Sequence, residues 1–432
     1  MIPIFLKDTL NYLFSLDAES SLRVFWFFLI FDFPRYILTD FYLLCLKLFK
    51  KTPDADRDFL RNLHEAPPLV SVIIPALNEE ATISWTIRSL EEQTYKHLQI
   101  IIVDDGSTDR TPQICRQLAR KHQSVEYYRF SERGGKSAVL NYGLKFSRGE
   151  FVVFVDSDTT FDRDAIYHII KAFADPEVGG VSGNLRVRNH KSSLLTSLQQ
   201  IEYIFTISIG RQVRATFGIL PIISGAFGCF RREIISTKTN GGHEPGPGND
   251  SDLAIRVRKL GYKIIFEPKA VCLTNVPQNL QSLIKQRARW DRNLIKNRVR
   301  KHSDVYNPFT QNFRLLDVIT FVDSIFFHLF LSAVTVFYLF DLSIHFSSAL
   351  PILLTINFIL YFGAEVFELL IAVILSGRKE DLKLLLYVPL FNPYKLFIKF
   401  VRLMAYAQEL LFKFSYNDPF APYKVRQRMI RW

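Results

Sequence analysis

Three short apolar runs, each closed by a turn or an acidic signal, constrain the fold of this chain more than any other feature. Leu69-Val70-Ser71-Val72-Ile73-Ile74 stops at Pro75, and Leu98-Gln99-Ile100-Ile101-Ile102-Val103 runs into Asp104-Asp105-Gly106-Ser107. Phe151-Val152-Val153-Phe154-Val155 runs into Asp156-Ser157-Asp158. Runs of five or six largely apolar residues without period-two alternation are the pattern of strands buried on both faces. A helical stretch follows the first run, from about Glu80 to Gln93. Strands alternating with helices predict an α/β class with an open, Rossmann-like, mostly parallel sheet, whose ligands bind at the carboxyl ends of the strands. Two acidic clusters stand at two such ends.

Their chemistry follows from residue type. A carboxylate at Asp104 or Asp105 can accept a hydrogen bond from a nucleobase N–H or a ribose hydroxyl. Asp156 and Asp158, alternate residues at a strand end, can together hold a divalent cation against a diphosphate. Mg²⁺ or Mn²⁺ takes oxygen ligands and keeps several waters, so one or two carboxylates plus phosphate suffice. Gly134-Gly135-Lys136-Ser137 is no phosphate loop, because Phe130 stands where that motif needs its first glycine. It reads instead as a turn that brings Lys136 toward phosphate or base. Ser224-Gly225-Ala226-Phe227-Gly228-Cys229-Phe230-Arg231-Arg232 joins small residues, which let backbone approach a ligand, to aromatics and two cations. The polar loop Gly246-Pro247-Gly248-Asn249-Asp250-Ser251-Asp252 opens a helix. There Asp250 is either a general base or a helix cap, and Asp252 is a capping candidate. Further on, Gln286, Arg289 and Trp290 fall at i, i+3 and i+4, on one face if this segment is helical. An indole can stack on a pyranose ring while Gln and Arg hydrogen-bond hydroxyls and phosphate.

The flanks differ from this middle zone. Of 432 residues, 48% are hydrophobic and 39 are Phe, which suits a membrane-associated chain better than a wholly soluble one. Residues 1–50 form an apolar N-terminal membrane segment, 68–305 a soluble α/β domain, 315–415 a membrane zone and 416–432 a basic cytoplasmic tail. Leu22 to Leu48 is long enough to span a bilayer but carries Asp32, Pro34, Arg35 and Asp40, with the three charges in one helical arc. A spanning helix with that arc against protein is favoured over an interfacial one. Val318 to Phe340 and Ala349 to Leu375 are clearer spans, and Asp323, Glu365 and Glu368 within them should face protein. The basic loop from Ser376 to Lys383 turns the open end of this hairpin to the cytoplasm. From Asn392 to Phe412, Lys395, Lys399 and Arg402 share one face, which predicts an interfacial helix. Lys424, Arg426, Arg428 and Arg431 make the tail basic. The net charge of +12 gathers near these membrane segments and not in a stripe with interleaved aromatics, so no nucleic-acid partner is expected. Cys45, Cys115, Cys229 and Cys272 lack metal or redox spacing and read as reduced thiols. The N-terminus lacks a signal-peptide pattern.

Several of these motifs in order, V-S-V-I-I-P-A-L-N-E-E, V-D-D-G-S-T-D, D-S-D, S-G-A-F-G-C-F-R-R-E, N-D-S-D-L and Q-R-A-R-W, give a chain that resembles the processive family 2 glycosyltransferases. That group includes hyaluronan, chitin, cellulose and poly-N-acetylglucosamine synthases. The resemblance covers about residues 69–300 and implies a GT-A-type fold with flanking transmembrane and interfacial helices. It implies nucleotide contacts from Glu79, Asp104, Asp105, Lys136 and Asp156, with Asp156 and Asp158 serving the diphosphate and metal. It makes Asp250 the catalytic base and puts Gln286, Arg289 and Trp290 at the acceptor and pyrophosphate end. The implied activity is inverting transfer from a UDP-sugar to a growing β-linked polysaccharide, with Mg²⁺ or Mn²⁺ as cofactor. The implied location is the plasma (inner) membrane, with the catalytic domain cytoplasmic. The alternative is a single-addition transferase acting on a lipid-linked or oligosaccharide acceptor. Two good spans and one doubtful one are few for a translocation path, so a homo-oligomer or an accessory export partner is expected beside the donor, the acceptor glycan and the bilayer.

Three departures qualify the transfer. Asn249 precedes the base where Glu is common, and leaves less negative charge beside Asp250. Leu77 stands where cellulose-type enzymes carry a base-stacking aromatic. The sequence ends at Trp432, so regulation through an appended cyclic-dinucleotide barrel is not expected. Donor sugar and linkage are not legible.

Overall fold

A computed structural model of the chain describes residues 9, 11–12, 14–49, 57–239, 241–310, 313–419 and 421–429. The first eight residues and Arg431 of the expected tail lie outside the described residues.

The predicted strands form where their composition requires. β1 (Val70–Ala76), β2 (Leu98–Asp104) and β4 (Phe151–Val155) lie side by side in parallel, with β3 (Val125–Arg129) parallel to β2. Both faces of this half are covered by helices, so Ile73, Ile74, Ile101, Ile102 and Val153 are fully buried. The other half is mixed. β7 (Phe227–Arg231) runs antiparallel to both β4 and β6 (Val178–Val187), while β8 (Lys263–Thr274) runs parallel to β6 and pairs antiparallel with β5 (Thr160–Phe161). The order is β3-β2-β1-β4-β7-β6-β8-β5. The sheet is thus an α/β GT-A-type sheet whose parallel part is interrupted at β7. Arg231 and Arg232 of this strand region turn their guanidiniums to backbone carbonyls of Val178 and Gly149, and so are structural cations.

The flanking zones pack onto one side of this domain. Helix α1 (Ala18–Phe27) leads through a loosely wound π-type stretch around Pro34 into α2 (Thr39–Phe49). Val24, Phe25 and Phe27 pack with Tyr338, Leu342, Leu353 and Ile356 from the later helices. Asp32 and Asp40 are buried, and Tyr361 donates to Asp32 at 2.5 Å, so the charged arc faces protein. Leu315–His345 and Leu350–Ser376 are both long and apolar enough to cross a membrane. After them, Arg378 pairs with Asp162 at 2.5 Å and Asp381 pairs with Arg186, which fixes the loop between them to the sheet domain.

The helix Phe391–Phe412 differs from its expected character. Its cationic stripe points inward: Lys395 reaches Glu365 at 2.7 Å, Lys399 donates to Thr335 at 3.0 Å, and Arg402 reaches Asp291 at 3.2 Å. Phe400, Met404 and Leu411 are exposed instead. The stripe therefore gives no ground for laying the helix among head groups, because its charges are matched inside the protein. Lys379–Leu386 and Val388–Phe412 form a pair bent by 56° that by length and composition is a broken span or a re-entrant loop.

Candidate active site

A cavity of about 1430 Å³ opens over the carboxyl ends of β1 and β4 and continues toward the flanking helices. Its wall contains Glu79, Asp105, Lys136, Asp156, Asp158, Asp250, Gln286, Arg289 and Trp290, nine of the ten residues singled out by sequence.

Asp104 is the exception. At the last position of β2 its carboxylate is fully buried and engaged, accepting from the Tyr127 hydroxyl at 2.9 Å and the Ser107 N–H at 2.8 Å, with Arg129 at 3.4 Å. Successive strand residues point to opposite sides, so only one of two adjacent aspartates can meet the cavity. That one is Asp105, whose backbone N–H donates to the Ala76 carbonyl and continues the β1–β2 ladder by one residue. Asp104 therefore lies off the cavity wall, with its carboxylate engaged in the turn that follows β2.

The Asp105 carboxylate accepts N–H bonds from Gly134 at 2.6 Å and Gly135 at 3.1 Å. Burial raises its proton affinity, and those two amides with Arg133 oppose the rise. Gly135 has φ +83°, a left-handed conformation that favours glycine, and directs the chain into helix α3 (Lys136–Phe146). The turn thereby presents Lys136 to Asp156, with which it forms an ion pair. Burial alone would lower the Lys136 affinity for its proton; Asp156 and Asp250 outweigh it and hold the ammonium above its usual range. Arg289 acts on the same ammonium, so Lys136, Asp250 and Arg289 share one region of the cavity. Glu79 is tied to the start of the next turn, accepting from the Thr82 hydroxyl at 2.5 Å. Asp158 is pushed up to about 6 by burial and by Asp156 and Glu79, with Arg188 opposing the rise.

Asp250 sits in the first turn of α4 (Asn249–Lys259), which Gly248 enters at φ +80°. Its Oδ1 accepts from the Ser251 N–H at 2.8 Å, and its Oδ2 lies against Gly225, where a Cβ would stand 3.3 Å away. Asp252 is not a cap: it is buried against Arg256 at 3.0 Å, His302 at 2.8 Å and Lys301, and these partners hold its carboxyl well below the usual range despite burial. Asn249 donates to Ser137 at 3.2 Å, linking the base loop to the lysine helix.

Gln286, Arg289 and Trp290 lie on α5 (Leu280–Ile295), which Asn279 caps through the Ser282 N–H. Trp290 is 44% exposed. Two residues on this wall were not foreseen. Arg287, buried between them, pairs with Glu202 and carries its guanidinium 4.4 Å from the Trp290 ring. Arg211 donates to Ser182 at 3.0 Å; burial pushes it down to about 10 against the pull of Asp250. Arg287 was visible within Q-R-A-R-W but off its presumed face; Arg211 had no signal beyond a cation ending an apolar stretch.

Among described residues no group of three or more His, Cys, Asp or Glu is arranged to hold a metal unaided. Two carboxylates at the end of β4 do fit a hard cation that takes its other oxygens from phosphate and water.

The sheet order and the carboxylates over one cleft fit a GT-A-type fold. Residues 71–237 match the glycosyl transferase family 2 model. The chain is 32% identical over 243 residues to poly-β-1,6-N-acetyl-D-glucosamine synthase of Staphylococcus aureus (strain COL), covering 56% of each chain. With the Staphylococcus epidermidis protein of that name it shares 32% identity over 234 residues, 54% of this chain and 56% of the relative. The chain thus matches little more than half the length of these curated relatives. The mannosyltransferase PcManGT from Pyrobaculum calidifontis, solved in complex with GDP-Man and Mn²⁺, has the same fold at TM-score 0.57 and 23% identity, covering 88% of this chain and 97% of that one.

Proposed function

We propose that the chain is a membrane-bound inverting transferase that moves N-acetylglucosamine units from a UDP-sugar to a growing β-linked polysaccharide. The observation that carries this reading is the single cavity shared by Lys136, Asp158, Asp250, Arg289 and Trp290. The donor class follows the name of the staphylococcal relatives.

In this reading Asp105 and Glu79 receive the nucleoside, and Lys136 and Arg289 face the diphosphate. Trp290 stacks the acceptor ring and Gln286 holds its hydroxyls. Asp250 takes the proton of the acceptor hydroxyl, whose oxygen attacks the anomeric carbon; the bond to the diphosphate breaks on the opposite face and UDP leaves. One displacement inverts the anomeric centre. General-base catalysis of this kind contributes about 10²–10⁴-fold, and held geometry supplies much of the rest. Asp158, with Asp156, would hold Mg²⁺ or Mn²⁺, which when bound offsets charge on the leaving diphosphate. The catalytic domain would lie on the cytoplasmic face, beside the loop that Arg378 and Asp381 fasten to it.

The test is the purified full-length chain with Mn²⁺ and a panel of UDP-sugars, read by UDP release and product size, with Asp250→Asn as control. High-molecular-weight product from UDP-N-acetylglucosamine, lost in the variant, is the expected result. Singly extended product would replace polymer synthesis by single addition, and release that survives Asp250→Asn would remove Asp250 as the base.

A further inference from the structure

Beyond Trp290 the cavity continues to a wall that a neutral glycan does not require. Arg214, Arg298 and Arg35 line it with Asp323, Phe327 and His328. Arg214 donates to Asp323 at 3.1 Å. Asp323 also acts on Arg298 and on Arg35. Arg35 is served separately: its guanidinium lies 3.6 Å from the Phe327 ring centre, and Asp32 faces it as well. Glu368, which sits near Asp40, is within its field too. Arg402, on the same wall, is matched by Asp291. What remains is Arg214 and Arg298 sharing the one carboxylate of Asp323.

Arg298 is the less satisfied of the two. It is 5% exposed, its Nη2 reaches only the Pro221 carbonyl at 3.5 Å, and its Nε has no hydrogen-bond partner. Burial pushes its guanidinium down to about 10, and Arg214 adds to that. A buried guanidinium without an anion is costly, and its planar fork matches phosphate oxygens. The rim of the cavity adds a second clue. Ile30 is 53% exposed and Phe217, stacked on Tyr42, is 48% exposed, so an apolar edge adjoins the cationic wall on the side of the membrane helices.

We propose that this inner end of the cavity binds a phosphate ester, with Arg298 and Arg214 on the phosphate and the apolar rim on the chain of a lipid that carries it. Arg298 and Arg214 are not among the residues assigned to the donor, and the inference goes beyond the proposed transfer reaction. Its test needs no sugar donor, so it stands or falls separately from that reading.

The experiment measures binding to the full-length chain in phosphatidylcholine nanodiscs by isothermal titration. The probes are farnesyl phosphate, farnesol and inorganic phosphate. Farnesyl phosphate should bind wild type, and Arg298→Gln should weaken it about tenfold or more, as expected for loss of a charge-assisted contact. Asp323→Asn, which removes the competing carboxylate, should tighten it, and this gain keeps the test decisive even if Arg298→Gln does not fold. Farnesol should not bind. Inorganic phosphate binding as tightly, with the same response to both variants, would support the phosphate site and make free phosphate its occupant. Farnesol binding as well as its phosphate, or affinities that neither variant changes, would overturn the proposal.

Discussion

Arg287 and Glu202 form an ion pair of 2.7 Å between α5 and the helix Leu194–Tyr203, with the Tyr394 hydroxyl donating to the same carboxylate oxygen at 2.5 Å. Because the guanidinium also faces Trp290, this pair couples the Trp290 indole to the helix Phe391–Phe412, which carries Tyr394. Removing one partner of a buried pair costs about 3–5 kcal/mol, since the other charge is left unmatched. Arg287→Gln should therefore lower the thermal unfolding temperature and raise the acceptor KM more than the donor KM. Glu202→Gln should do the same, and the double variant should be less unstable than the sum of the two. Additive losses would show that the pair does not act as a unit.

Asp250→Asn should reduce kcat about 10²–10⁴-fold while leaving UDP binding intact, as removal of a general base does. Titration of UDP against both proteins checks the second half. If UDP binding falls in parallel with turnover, Asp250 has a positioning role in the donor site.

The parallel half of the sheet was legible because strands buried on both faces are largely apolar along their length, and β1, β2 and β4 are. The base loop and the lysine turn were legible through glycines at positive φ, Gly135 and Gly248, that only particular turns require. Which of Asp104 and Asp105 meets the cavity was not legible, because adjacent aspartates look alike in a sequence while the pleat sends them to opposite sides. The partners of Arg287 come from residues 85 and 107 positions away, and no local pattern encodes such a pairing. What the stripe on Phe391–Phe412 meets was not legible for a related reason. Helical period shows that Lys395, Lys399 and Arg402 share a face but not what that face meets.

His243 gives the site an acid sensitivity. It is buried beside the base loop, with Nδ1 3.4 Å from the Asn249 carbonyl, and burial pushes it down to about 3. The unfolded chain binds a proton there near pH 6.5, and the folded chain does not until about pH 3. Stability is therefore full above pH 6.5 and declines as pH falls through that window, by up to about 1.4 kcal/mol per unit for this group. Unfolding temperatures measured between pH 7.5 and 4.5 should fall, and His243→Gln should fall less steeply. An equal slope would assign the acid loss to other groups.

Asp158 should set the metal requirement. EDTA should suppress UDP release and Mn²⁺ should restore it in wild type. Asp158→Asn should need a much higher Mn²⁺ concentration for the same fraction of its own maximum, because one of two oxygen ligands becomes a neutral amide. An unchanged Mn²⁺ titration curve in the variant would remove Asp158 from the cation.

Gly225 tests how tightly the base is held. A Cβ there would stand 3.3 Å from Asp250 Oδ2 and 3.4 Å from its Cβ, contacts closer than side chains ordinarily make. The carboxylate cannot yield freely, because Oδ1 is tied to the Ser251 N–H at 2.8 Å. Gly225 is not at positive φ, so alanine adds crowding without backbone strain. Displacement of about 1 Å at a reacting group can cost about 10²-fold. Gly225→Ala should then lower kcat about tenfold or more with the donor KM little changed, and Gly225→Val should lower it further. Gly363→Ala is the matched control, since nothing lies within 4 Å of a Cβ there and alanine favours the helix that contains it. Full activity in Gly225→Ala would mean that Asp250 has room to move and that its alignment comes from the substrate.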